Sequence, residues 1–127
     1  MSLLEEDSTV FSELLNPTDA EMLKGKTSVY KEYDFTMPVF PQLAIFEIRE
    51  KLLDLLKTES AVVVKGFTGC GKTTQVPQFI LDSCASKQIP CNIVVTQPRR
   101  IGAVSIAKRV SQERNWQVGT VVGYQVR

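Results

Sequence analysis

Ala61-Val62-Val63-Val64 runs straight into Lys65-Gly66-Phe67-Thr68-Gly69-Cys70-Gly71-Lys72-Thr73-Thr74, and no other stretch of the 127 residues narrows the possible folds so far. The apolar run is short and β-branched, as a buried strand requires. Glycine at 66, 69 and 71 allows backbone angles and close approaches that a Cβ would block. Beyond them Val76, Phe79, Ile80, Ser83 and Cys84 stand at i, i+3, i+4, i+7 and i+8, the stripe of a helix packed on one face. Strand, glycine loop and helix in immediate succession form one unit of a layered α/β domain.

Gly66, Gly71, Lys72 and Thr73 satisfy G-x-x-x-x-G-K-[ST], the spacing of a phosphate-binding loop. In such a loop successive N–H groups wrap a β-phosphate, and the following helix adds the positive end of its dipole. Lys72 would set an ammonium against the β- and γ-phosphates, and the Thr73 hydroxyl would be a Mg²⁺ ligand. The plainer alternative is an ordinary glycine-rich turn with an exposed lysine.

Length allows one small domain, and 43% hydrophobic with 23% charged residues is the composition of a soluble globular chain. No apolar run is long enough for a membrane span, and Leu3-Leu4 gives way at once to Glu5-Glu6-Asp7, so neither a signal peptide nor a membrane partner is expected. Three cysteines without metal-ligand spacing suggest reduced thiols and a cytoplasmic setting. Cys70, inside the loop, reads as a small filler, with a redox role as the alternative. The absence of histidine excludes a His-based triad. Residues 1–60 hold 6 Lys/Arg against 12 Asp/Glu, whereas residues 61–127 hold 9 against 2. The basic half carries the glycine loop, which fits polyanionic ligands. Oligomeric state is not legible.

Residues 1–36 read as an arm, irregular or with short helices. Val10, Phe11, Leu14 and Leu15 form an apolar cluster ended by Asn16-Pro17, and Thr18 with Glu21 has capping-box spacing before a helix stopped near Gly25. The arm could dock a partner or lie along its own domain; the second is favoured. "FTMPVFPQ" is a proline-punctuated linker into a domain over 37–127. Ile45, Ile48, Leu52, Leu55 and Leu56 recur at helical spacing. After the loop's helix, "NIVVT" predicts a second strand, Ala103, Ile106, Ala107 and Val110 another helix, and Thr120 to Tyr124 a third strand. The alternation predicts a parallel, doubly wound sheet, with ligands at the strands' carboxyl ends.

"VVTQPRRIGAVSIAKRVSQE", taken with "GKTTQVPQFILD" and "VGYQVR", resembles the first RecA-like domain of DEAH-box RNA helicases, from about Tyr33 to Arg127. In detail it is similar to the Spindle-E branch, the Tudor-domain-containing helicases of the germline piRNA pathway. Phe67 supports that branch, because most members of the family have Glu at this position. The resemblance implies a P-loop NTPase fold, ATP and Mg²⁺ as cofactors, RNA and piRNA-pathway proteins as partners, and germline perinuclear granules as a location. It implies nucleotide contacts from Gly66, Phe67, Thr68, Gly69, Cys70, Gly71, Lys72, Thr73 and Thr74, with Lys72 and Thr73 catalytic and Thr73 on the metal. It matches Thr96, Gln97, Pro98, Arg99 and Arg100 to motif Ia, which contacts the RNA backbone, and Arg109 to an arginine that stacks on adenine. By their own pattern Arg99 and Arg100 could sit in solvent, and Arg109 could be a snorkelling edge residue. Pro77, inside the loop's helix, is tolerated in the family.

Hydrolysis needs an acid on a following strand and a group that positions water. After Thr73 the only acids are Asp82 and Glu113, and neither follows an apolar strand. The D-E-x-H box is not present. The chain is therefore expected to be the N-terminal piece of an ATP-dependent RNA helicase, ending before that box, and to bind nucleotide without turnover. The alternatives are a non-catalytic isoform that binds partners through residues 1–36, and a small P-loop kinase, which would need an acceptor-site acid and a lid.

Overall fold

The computed structural model describes residues 2–4, 9–14, 29–36, 40 and 42–126, with 2–4 and 9–14 described by backbone alone. Their order is β1 (Ser2–Leu4), β2 (Thr9–Leu14), α1 (Val29–Glu32), a 3₁₀ turn (Ala44–Ile48), α2 (Arg49–Thr58), β3 (Ala61–Val62), α3 (Lys72–Ser86), β4 (Cys91–Thr96) and α4 (Arg100–Arg114).

Each long helix follows from its sequence. The stripe that starts at Val76 puts Val76, Phe79, Ile80 and Cys84 of α3 inside, against Ile45, Leu52 and Val64. Phe79 has no exposed surface and meets the edge of Phe46 at 5.2 Å between centroids. Pro77 lacks the N–H that the Thr73 carbonyl would otherwise accept, so the first turns of α3 are held by fewer backbone bonds. Both α3 and α4 stop in the same way. Gln88 takes φ 55 and Asn115 φ 56. Behind them Ile89 N–H donates to the Cys84 carbonyl at 2.9 Å, and Trp116 N–H to that of Ser111 at 2.8 Å. These are Schellman endings, which satisfy the last carbonyls of each helix.

The strands form one mixed sheet in the order β3-β1-β2-β4. β1 pairs with β2 antiparallel (Ser2↔Phe11 to Leu4↔Thr9) and with β3 parallel (Ser2↔Ala61, Leu3↔Val62). β2 pairs antiparallel with the whole of β4, from Thr9↔Thr96 to Leu14↔Cys91. This corrects the expected parallel, doubly wound P-loop NTPase (RecA-like) sheet. The two strands on either side of the glycine loop and its helix do not pair with each other; the β1–β2 hairpin stands between them. The arm, expected to be irregular or short-helical, thus supplies extended backbone at residues 2–4 and 9–14 as well as the short helix α1. Hydrogen-bonding geometry explains it: β3 and β4 each have an unpaired inner edge, and a hairpin satisfies both at once. No third strand forms at Thr120 to Tyr124. Gly119 adopts φ 96 and donates its N–H to the Val122 carbonyl at 2.7 Å, which turns the chain instead of extending it. The capping-box helix expected over Thr18 to Gly25 lies outside the described residues.

Residues 29–36 lie on the body of the protein. Tyr30 donates its hydroxyl to the Ile89 carbonyl at 2.7 Å. Tyr33 and Phe35 pack on Trp116, with centroids 6.4 and 5.3 Å away. Beneath this cluster Arg114 closes α4. Its Nη1 donates to Asp82 Oδ1 at 2.8 Å, its Nη2 to Asp82 Oδ2 and its Nε to Gln78 Oε1 at 2.5 Å. Its guanidinium also lies 5.3 Å from the Trp116 ring. Among the described residues no helix is long and apolar enough to cross a membrane.

Candidate functional site

The glycine loop is built against the helical turn that precedes it. Ile45 N–H donates to the Cys70 carbonyl at 3.2 Å, Cys70 N–H to Phe67 at 3.3 Å, and Gln75 N–H to Gly71 at 2.8 Å, starting α3. Gly71 caps the helix at φ 97, and a Cβ there would lie 2.9 Å from Ile45 Cγ2. A Cβ on Gly66 would lie 2.9 Å from the Cys70 sulfur. Cys70 is buried, consistent with a filler; Gly66, Phe67, Thr68 and Gly69 are exposed, Phe67 by 68%. Lys72 arches back to donate its ammonium to the Gly66 carbonyl, spanning the loop. Thr73 and Thr74 are half-buried in the first turn of α3, and Thr74 donates to the Gly71 carbonyl at 3.5 Å.

β4 alternates half-buried and exposed residues up to Thr96, and the chain then crosses Gln97 and Pro98 to enter α4 at Arg100. Arg99 and Arg100 are exposed, and no acid stands in the first turn of α4. Two cations at the positive end of a helix dipole oppose the usual preference for anions there. Gln97 turns its amide inward beside Gly102, where its Nε2 is buried without a hydrogen-bond partner among the described residues.

An open groove of about 1060 Å³ runs between α3, β4, α4 and residues 121–126. It is walled by Pro77, Ile93, Val95 and Ile106, and Thr73 and Thr96 to Arg100 also line it. The structure therefore brings Thr73 and the two arginines to one concavity. Arg109 is not part of it. That side chain is 63% exposed and pairs its Nε with Glu113 Oε1 at 3.1 Å.

By sequence Glu113 is set aside because it follows no apolar strand, and Gln75 and Gln78 are not singled out. Gln75 Nε2 donates to both carboxylate oxygens of Glu113, at 3.3 and 3.0 Å. Gln78 Nε2 donates to its Oε2 at 2.9 Å and to the Thr74 carbonyl at 2.8 Å. A weak signal was present: Gln75 and Gln78 stand i, i+3 along the row beside the apolar stripe of α3, where the structure buries both. Asp82, the other acid of the basic half, is held by Arg114; burial pushes its carboxyl up, and the two bonds from Arg114 oppose that rise. Among the described residues no cluster of three or more His, Cys, Asp or Glu could hold a metal ion by itself.

No family model matches the chain. Among known proteins it is 49% identical over 123 residues to "Probable ATP-dependent RNA helicase spindle-E" of Drosophila grimshawi, covering 97% of this chain and 8% of that protein. The protein of the same name in Drosophila pseudoobscura pseudoobscura is 53% identical over 109 residues, covering 86% and 7%. In Drosophila melanogaster the figures are 53% over 97 residues, 76% and 7%. The chain thus spans less than a tenth of the length of these relatives. Over nearly all of its residues, the chain is a homologue of a segment of the spindle-E proteins.

Proposed function

We propose that the chain is the ATP-gripping and RNA-backbone-contacting segment of an ATP-dependent RNA helicase of the DEAH-box kind. The observation that carries this is the groove that joins Thr73 of the glycine loop to Arg99 and Arg100. The loop's residues fit a Mg²⁺-bound triphosphate. Neighbouring side chains crowd Gly66 and Gly71 so closely that a Cβ has no room, the Lys72 ammonium closes back on the loop, and Thr73 follows it in the first turn of α3. Gly66 through Thr74 would hold the phosphates by backbone N–H groups, Lys72 by its charge and Thr73 by its hydroxyl on the metal. Mg²⁺, when bound, would neutralise phosphate charge. The Arg109 side chain is 63% exposed, and a planar guanidinium is a group that stacks on a base.

Arg99 and Arg100 support the RNA half of the proposal by their cost. Each opposes the dipole of α4 by about 0.3–1 kcal/mol, which a bound phosphate would reverse. Following the resemblance, the same proposal places the parent protein in cytoplasmic, germline piRNA-guided silencing. The test is salt dependence. For single-stranded RNA each neutralised phosphate contributes about −0.7 to the slope of log K against log salt. Replacing Arg99 and Arg100 together by Ala should flatten that slope by about one unit and weaken all RNA sequences alike. An unchanged slope, or a loss confined to one sequence, would count against backbone contact.

A further inference from the structure

We infer that Glu113 is the positioning residue for Arg109, and that Gln75 and Gln78 tie its carboxylate to the phosphate-loop helix, so that the nucleobase contact is set by the same helix that holds the phosphates. This rests on the nucleotide-site proposal above and deepens it.

The geometry separates Glu113 from an ordinary surface partner. An exposed Arg–Glu pair at i, i+4 is worth only a few tenths of a kcal/mol, and Arg before Glu is the poorer order along a helix. An acid in the last turn of α4 also faces the negative end of the dipole. Helix stability therefore gives no reason for a glutamate here. Yet its side chain is only 7% exposed, and three amide hydrogen bonds reach its two oxygens from Gln75 and Gln78. Those glutamines lie one and two turns beyond Lys72, and Gln78 also holds the Thr74 carbonyl. A carboxylate clamped in this way has no freedom left to lose when it pairs with Arg109. The bond goes to Nε, which leaves both Nη groups of a side chain that is 63% exposed free of this pair. A planar cation pinned at Nε is what stacking on a purine requires, and it carries no donor–acceptor pattern that reads the base edge.

The bland alternative is that Glu113 only fastens α3 to α4. Titration calorimetry of the 127-residue chain with Mg²⁺-ATP and with Mg²⁺-tripolyphosphate distinguishes the two. The unmodified chain should bind ATP more tightly than tripolyphosphate by about fivefold, the share of one cation–π contact. Glu113→Gln should remove most of that margin and leave tripolyphosphate within about twofold. Arg109→Ala should do the same, and the double variant should lose no more than either single one. Should Glu113→Gln fail to fold, Glu113→Asp retracts the carboxylate from Arg109 while keeping the charge, and the same loss is expected. Equal weakening of both ligands, or an undiminished margin in the Glu113 variants, overturns the positioning role and leaves the phosphate site standing. An unmodified chain that binds neither ligand overturns the phosphate site itself, and the positioning role with it.

Discussion

Lys72→Ala should weaken Mg²⁺-ATP binding by roughly a hundredfold, and the unmodified chain should bind ATP while hydrolysing it no faster than buffer. The first half follows from charge. Lys72 closes its ammonium back on the loop, where it donates to the Gly66 carbonyl. A charge-assisted hydrogen bond to phosphate in such a setting contributes about 1.5–3 kcal/mol, and the upper figure corresponds to more than a hundredfold in affinity. The second half follows from the two acids beyond the loop. Phosphoryl transfer to water needs a carboxylate to organise the metal and another group to position the nucleophile. Asp82 has both oxygens engaged by Arg114, and Glu113 has both engaged by Gln75, Gln78 and Arg109. Neither is available without breaking a buried network. Equilibrium binding and phosphate release measured on one preparation test both halves. Hydrolysis that is stimulated by RNA and lost in Lys72→Ala would show that the catalytic groups are present after all.

Arg114→Met should destabilise the chain strongly, by about 3–5 kcal/mol at neutral pH. The side chains of Arg114 and Asp82 are 1% and 6% exposed, so removing the cation leaves a carboxylate buried without its partner. The pH dependence has a definite sign. Burial already pushes the Asp82 carboxyl up, and Arg114 restrains it. Without Arg114 the folded-state value rises further above the unfolded value of about 3.9. The folded state then binds that proton more tightly than the unfolded state. Stability of the variant is lowest above the folded value and recovers as pH falls through it. Urea midpoints at pH 7.5 and pH 5 should therefore converge toward those of the unmodified chain on the acid side. Asp82→Leu combined with Arg114→Met should recover much of the loss at both pH values, since no charge remains buried. A loss below about 1 kcal/mol, or one that does not change with pH, would mean that water reaches Asp82.

The helices and the loop were legible because local residues decide them. Val76, Phe79, Ile80 and Cys84 define one face of α3 whatever the rest of the chain does, and glycine at 69 and 71 supplies the positive φ values of 86 and 97 that the loop adopts. The sheet was not legible, because which edge pairs with which is decided by residues far apart in the chain. Val10, Phe11 and Leu14 are spaced i, i+1, i+4, closer to a helical pattern than to strict alternation, yet they belong to β2. Ser2 pairs with Ala61 and Thr9 with Thr96, contacts that no window of sequence contains. Val121 and Val122 have strand-like side chains, but Gly119 takes a left-handed turn and bonds back to Val122. At the site, Lys72 and Thr73 announce themselves by spacing. Glu113 does not, since its role depends on α4 lying across α3 so that Gln75 and Gln78 face it.

The closing residues of the two long helices leave room for improvement by engineering. Gln88 and Asn115 both hold left-handed φ, but asparagine tolerates that region and glutamine does not. Gln88 offsets part of its strain by donating to the Ala85 carbonyl at 3.0 Å. Gln88→Gly would give up that bond and relieve a backbone cost of about 1 kcal/mol, so a melting point higher by a few degrees is the expected result. The exchange lies at the opposite end of α3 from Lys72, four turns of helix away from the phosphate loop. A sturdier chain with nucleotide affinity untouched would be the practical starting material for crystallisation, and an unchanged or lower melting point would show that the side-chain bond outweighs the strain.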